Sequence, residues 1–115
     1  MKHIKLFKES IEQEPKKGDY ILYNMTWNVE SKLSKFLNNT IGQIANITKN
    51  KQDYDIVIFY NSEDIPEELK YIELQPANKK DTKFYRIAII NKEHFYYNKN
   101  KEKLETLLTA NKYNL

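Results

Sequence analysis

The sequence predicts an α+β domain in which a small, curved antiparallel sheet carries one helix inserted after its first strand and a second helix at its C-terminal end. Three observations carry that expectation. Runs such as YDIVIFYN and FYRIAII are dense in isoleucine, valine and aromatic residues, the types that suit a pleated, half-buried surface. Two other segments, TWNVESKLSKFLNNT and NKEKLETLLTANKY, place their apolar residues three and four apart, at helical spacing. A chain of 115 residues is long enough to bury one core but not two, so a single domain over 1–115 is expected.

Taken in order, residues 1–16 form a polar lead-in in which Ile4, Phe7 and Ile11 fall at helix-like spacing. EPKKGDY reads as a turn and DYILYN as the first strand of a sheet core spanning 17–97. The only two glycines, Gly18 and Gly42, each stand where a strand begins. Between them, Val29, Leu33, Phe36 and Leu37 at i, i+4, i+7 and i+8 predict a helix over about 27–38, capped by Thr26 or Asn28. IGQIANIT and YDIVIFYN follow as two strands joined by KNKQD, whose polar residues fit a hairpin loop; the second run is apolar on both faces, as a central strand would be. SEDIPEELKYIEL opens on cap-type residues, sets Pro66 where a first helical turn tolerates proline, and spaces Leu69 and Ile72 three apart, so it predicts one or two helical turns. QPANKKDTK reads as a loop. FYRIAII and HFYYN read as a second strand pair around NKE, and a helix over 99–112 closes the chain with Leu104, Leu107 and Leu108 on the stripe that docks.

A glycine-led strand (KGDYILYN), then a G-x-[IV] strand (IGQI), then an apolar strand (YDIVIFYN) is an order that resembles the small SH3-like β-barrels. The resemblance covers residues 17–97 and implies a sheet curled into a barrel, working as a binding module for peptides or nucleic acids. The inserted helix and the acidic excursion after the third strand depart from the minimal barrel.

Composition narrows the function by exclusion. With no cysteine, disulfides, thiolate nucleophiles and cysteine-ligated metals are removed together, and a reducing compartment is suited. The lead-in lacks the apolar core of a signal peptide and no apolar run is long enough to span a bilayer, so a soluble, cytoplasmic protein is expected. The sequons at Asn24, Asn38 and Asn46 then read as chance matches. Gly18 and Gly42 lie too far apart for a phosphate-cradling loop or a dinucleotide fingerprint. A serine–histidine–acid triad or a two-histidine metal site would need His3 and His94 to meet, and structural or surface roles are expected of both. Asp53, Asp55, Glu68 and Lys70 occur in an order comparable to that of divalent-metal nucleases. Glu68 and Lys70, however, fall in a segment that reads helical, which turns them to different faces. The expectation is a protein without catalytic residues, cofactor or metal.

Eighteen lysines against one arginine, with thirteen isoleucines and thirteen asparagines, are what AT-rich codons produce, and they point to a low-GC bacterium or to a phage or mobile element living in one. In size and composition the chain resembles small phage and mobile-element proteins such as the anti-CRISPR proteins. That resemblance implies a non-enzymatic inhibitor or adaptor that blocks a host nucleic-acid enzyme or defence complex in the bacterial cytoplasm.

Charge is unevenly spread. Residues 1–52 carry +4, residues 53–77 carry one lysine against seven acids (−6), and residues 78–103 carry +5. The acidic middle supplies the candidate partner-binding residues Glu63, Asp64, Glu67, Glu68, Glu73 and Tyr71: carboxylates that imitate a phosphate row beside an amphipathic ring. The basic flank supplies the alternative, a nucleic-acid surface of Lys79, Lys80, Lys83, Arg86, Lys99, Lys101 and Lys103 on phosphates with Tyr96 as stacking ring. Strand alternation limits that alternative, because Phe95 and Tyr97 share one face of HFYYN while His94 and Tyr96 take the other, and one face is core. Lysine also reads bases poorly, lacking the planar fork of arginine.

Overall fold

The computed structural model describes residues 14–77 and 83–113. In chain order the elements are β1 (Tyr20–Tyr23), α1 (Lys32–Asn39), β2 (Gly42–Asn50), β3 (Asp53–Asn61), β4 (Gln75–Pro76), β5 (Lys83–Asn91), β6 (Phe95–Asn98) and α2 (Lys101–Tyr113). All strands pair antiparallel in one curved sheet of order β4-β5-β3-β2-β1-β6, and the expected α+β class holds. The sheet does not close, since β4 at one edge and β6 at the other do not pair with each other. Among the described residues no helix is long and apolar enough to cross a membrane.

β3 is the spine. Tyr54, Ile56, Ile58 and Tyr60 alternate onto its inner face and are buried, and the strand is paired along its whole length by β5 and along most of it by β2. That matches the central position expected from its two-sided apolarity. β2 slips register between Ile44 and Asn46, an irregularity that bends a strand. Its N-terminal end therefore also reaches β1, through Tyr20↔Gln43 and Ile21↔Gly42. Ile21, Phe36, Leu37, Phe84 and Phe95 complete the core against β3.

Several boundaries differ from the sequence expectation, each for a local reason. α1 starts at Lys32, not near residue 27: Asn28 takes a left-handed φ of 53°, and Ser31 rather than Thr26 or Asn28 is the cap, its hydroxyl accepting from the Ser34 amide at 3.1 Å. Val29 thus precedes the helix and stays exposed, while Phe36 and Leu37 are buried as expected. The β2–β3 ladder runs on to Asn50↔Asp53, so the hairpin loop is only Lys51 and Gln52, with Lys51 at φ 57°. The acidic segment makes two 3₁₀ turns, Ser62–Asp64 and Glu67–Leu69, because Ile65, preceding Pro66, is held extended and interrupts helical continuation. Ile72 lies beyond them and is exposed. Gln75 and Pro76, expected in a loop, pair with β5 as β4.

The largest correction concerns HFYYN. It does not pair with FYRIAII around NKE. A 3₁₀ turn over Lys92–His94, started by Asn91 whose side-chain oxygen accepts from the Glu93 amide at 2.9 Å, turns a corner instead of a hairpin. Phe95–Asn98 is thereby delivered to β1, in the register Tyr20↔Asn98 to Tyr23↔Phe95. α2 packs on β6 and β1 with Leu104 buried and Leu107 and Leu108 half-buried, so the terminal helix docks by the expected stripe. The lead-in helix expected around Ile4, Phe7 and Ile11 lies outside the described residues.

Candidate interaction surfaces

The acidic excursion between β3 and β4 is pinned from below. Ile65, Leu69 and Leu74 are buried, and the Glu73 and Leu74 amides both donate to the Leu69 carbonyl, at 3.0 and 3.1 Å. The Tyr71 amide donates to the Leu74 carbonyl at 2.6 Å, which closes a tight turn and holds Tyr71 at φ 67°, a conformation that costs a non-glycine residue about 1–2 kcal/mol. This turn presents two neighbouring apolar side chains to solvent, Tyr71 at 58% and Ile72 at 73% exposure. The Tyr71 ring meets the buried Phe84 ring edge-on at 5.4 Å, so it is exposed but propped.

The five acids of the excursion are not equivalent. Glu68 pairs with Lys32 of α1 at 2.6 Å, and that hydrogen bond holds its carboxyl below the usual carboxylate range. Glu67 pairs with Lys70 at 3.1 Å and Glu73 with Arg86 at 3.3 Å. Glu63 and Asp64 have no ion pair among the described residues and share one 3₁₀ turn. The Lys32–Glu68 pair is exposed at both ends and contributes little to stability, whereas Lys70 and Arg86 are largely covered. Asp64 also borders a shallow cleft with Lys101 and Glu105 of α2. The residues whose order was compared with that of divalent-metal nucleases diverge: Asp55 is exposed on the outer face of β3, whereas Glu68 turns to α1 and Lys70 lies over the Phe84 ring. No group of three or more histidine, aspartate or glutamate residues among the described residues is arranged to hold a metal ion.

The basic set is partly dispersed. Lys83 is exposed, with its ammonium over the Phe59 ring at 5.9 Å, and it borders one cleft with Lys101 beside Tyr20. Lys99, Lys101 and Lys103 are exposed around the start of α2, and Tyr96 is partly exposed while Phe95 is buried, as strand alternation requires. Arg86 does not join them. It points inward in register with Ile58, and its Nη1 donates to the carbonyl and carboxylate oxygens of Glu73, both at 3.3 Å. Lys79 and Lys80 lie outside the described residues.

Inside the sheet, Tyr23 Oη, Tyr60 Oη and Arg86 Nε are buried with no hydrogen-bond partner among the described residues. Burial raises both phenols; for Tyr60 the neighbouring Tyr23 adds to the rise, and for both the Arg86 charge opposes it. The guanidinium is close enough to Tyr23 to act on it as charge and donor, yet the pair does not meet hydrogen-bond geometry. Below the ordinary phenol value of 10.0 the Tyr60 proton is bound in folded and unfolded chains alike and stability does not depend on it. Above 10.0 the unfolded chain releases that proton first, so stability falls as pH rises. Tyr60→Phe is expected to be neutral or stabilising by about 1 kcal/mol at pH 7, since it removes an unpaired hydroxyl. Its advantage over the parent should widen above pH 10, as read by urea unfolding at both values; a constant difference would contradict the burial of this phenol.

Sequence reading missed Trp27 and Ile72, both exposed, and the pair Ile87 and Ile89, at 65% and 72% exposure on the outer face of β5. FYRIAII is apolar on both faces, and that signal was available for Ile87 and Ile89. The chain matches no protein-family model, no curated protein and no solved structure.

Proposed function

We propose that this protein is a non-enzymatic inhibitor or adaptor of phage or mobile-element type, which docks its acidic, tyrosine-bearing excursion into the basic groove of a host nucleic-acid enzyme or defence complex. The observation that carries the reading is the turn at Tyr71 and Ile72: two exposed apolar side chains on a backbone fixed from below, in a segment carrying Glu63, Asp64, Glu67, Glu68 and Glu73. An amphipathic anchor within a charged setting is how interfaces combine affinity with steering. Ion pairs to Lys32, Lys70 and Arg86 hold three of the carboxylates in place until a partner's cations replace those contacts.

The test is inhibition of DNA cleavage by a panel of RNA-guided and restriction nucleases, with the parent protein and a Glu63→Lys, Asp64→Lys, Glu67→Lys, Glu68→Lys variant. The parent is expected to inhibit at least one enzyme, more weakly as salt rises, and the charge-reversed protein to lose at least about tenfold in potency. No inhibition by the parent, or equal inhibition by the variant, would sink the reading.

A second reading, direct nucleic-acid binding, draws on the cleft that Lys83 and Lys101 share beside Tyr20 and Phe59. It requires binding to random oligonucleotides that weakens steeply between low and moderate salt. Absence of binding at low salt removes it.

A further inference from the structure

The sheet has one long edge that no other described element covers. At the opposite edge α2 packs on β6, while β4 is only two residues long and carries Pro76, which has no amide to offer a neighbour. β4 covers β5 only at Phe84 and Tyr85, so from Arg86 to Asn91 that flank of β5 has no strand beside it among the described residues. On the β4 side the Lys83 carbonyl accepts from the Ala77 amide at 2.9 Å. Backbone groups alternate in direction along a strand, so the amides and carbonyls of Ile87 and Ile89 point to the same flank, where it is open.

Edges of soluble sheets are protected by a charge, a proline or a bulge that turns away an incoming strand. Residues 87–91 read IAIIN, with neither charge nor proline, and Ile87 and Ile89 stand exposed on the outer face. β5 has no bulge either, since its pairing with β3 runs unbroken from Asn61↔Lys83 to Asp53↔Asn91. Unmade ladder bonds are completed by another extended backbone, and this flank is complementary to itself. With a two-fold axis through Ala88, a second β5 lies antiparallel with Ile87 opposite Ile89 and Ile89 opposite Ile87. Each of these pairs exchanges both of its backbone hydrogen bonds, and the exposed isoleucines of the two copies cover one another. The register ends with Arg86 opposite Ile90, one position short of Tyr85, so the second strand stops before it meets β4. The chain then leaves through the turn at Lys92–His94 towards β1, which lies beyond β3 and β2 and away from the open flank.

We infer that the protein forms a two-fold homodimer by antiparallel pairing of the open flanks of β5, which joins the sheets of two copies into one. The inference does not rest on the inhibitor reading, although it gives each assembly two acidic excursions. Pairing from Arg86 to Ile90 is short beside the about 1,200–2,000 Å² that stable complexes bury, so the dimer is a weak one, with a Kd on the order of 10–100 µM.

Sedimentation equilibrium of the parent protein from about 1 to 500 µM should show the mass rising from 13.8 kDa towards twice that value. The double variant Ile87→Lys, Ile89→Lys changes two solvent-facing side chains and sets like charges together in the paired strands, so it should weaken association at least about tenfold. Because the chain has no cysteine, Ala88→Cys introduces a single thiol. On the axis the two copies of residue 88 face each other as a non-hydrogen-bonded pair, with a Cα separation of about 4.5 Å that a disulfide spans. In a glutathione redox buffer this variant should cross-link at least about tenfold faster than Ile72→Cys, whose position is exposed but lies on the acidic turn. Ala88→Cys decides the matter if the double lysine variant shows no cooperative unfolding transition. A parent that stays monomeric throughout overturns the inference: slow amide exchange at Ile87 and Ile89 would then mean that the flank is covered within the chain, and fast exchange that it is open to a different protein's strand. Association unchanged in a folded double lysine variant, or Ala88→Cys cross-linking no faster than Ile72→Cys, overturns it as well.

Discussion

Replacing Phe84 with alanine is expected to lower the free energy of unfolding by about 3–5 kcal/mol, a large part of the total for a domain of this size. Phe84 is almost wholly buried on β5, opposite Tyr60 of β3 on one side and Pro76 of β4 on the other. Truncation removes ring area from the core and leaves a cavity that two flanking strands cannot collapse to fill. It also removes the floor beneath the excursion, because the Tyr71 ring rests on Phe84 at 5.4 Å and the Lys70 ammonium lies over it at 5.8 Å. Phe84→Leu keeps most of the apolar volume and should cost about half as much. Urea unfolding of both variants is the measurement. A loss below about 1 kcal/mol for Phe84→Ala would place this ring outside the core. Under conditions where Phe84→Ala is still fully folded, the inhibition proposed above should weaken more in that variant than in Phe84→Leu.

Gly42→Val is expected to have the second large effect, and to act on β-pairing. A Cβ at Gly42 would sit 2.5 Å from Ile58 Cγ2, 2.8 Å from Tyr60 Cε1 and 3.0 Å from the Phe59 carbonyl oxygen. The last is backbone of the central strand and cannot swing aside. Overpacking of this kind costs about 1–3 kcal/mol for a single added carbon, and valine adds two more. The first pairing to suffer is Gln43↔Phe59, at the Gly42 end of the β2–β3 ladder, so amide exchange there should rise well before that at the far end, Asn50↔Asp53. Gly18 is the control. Its φ of 94° makes alanine unfavourable by about 1 kcal/mol, but nothing lies within 4 Å of an added Cβ there. If Gly18→Ala proved more damaging than Gly42→Ala, the close approach of β2 to β3 would not be what requires glycine at 42.

The parts of the fold legible in the sequence were those decided by local patterning. β3 announced itself through an apolar run too rich for one face, the C-terminal helix through Leu104, Leu107 and Leu108, and the division of Phe95 from Tyr96 through strand alternation. What escaped was set by contacts distant in sequence or by single backbone angles. Nothing in TWNVES reveals that Asn28 turns left-handed and hands the cap to Ser31. Nothing in HFYYN states that its hydrogen bonds go to Tyr20–Tyr23 instead of to the strand just before it. For the candidate surfaces, the acidic segment was visible as a count of charges and Tyr71 as its ring, but Ile72 as an exposed apolar neighbour was not. Ile72 reads as helical core until the strained turn at Tyr71 lifts it into solvent. The inward turn of Arg86 was equally invisible, since an arginine among alternating residues reads as surface by default.

The pairing of β1 with β6 bears on how the molecule is made. Tyr20 waits for Asn98 as its cross-strand neighbour, so a ribosome must release the chain through residue 98 before the first strand gains its second partner. The β2–β3–β5 meander is joined by nearer contacts and can assemble beforehand. The sheet is therefore completed late, when β6 is added beside β1 at one edge, and slow translation or a stall before residue 95 would leave nascent chains with Ile21 and Leu22 uncovered and open to proteolysis or aggregation.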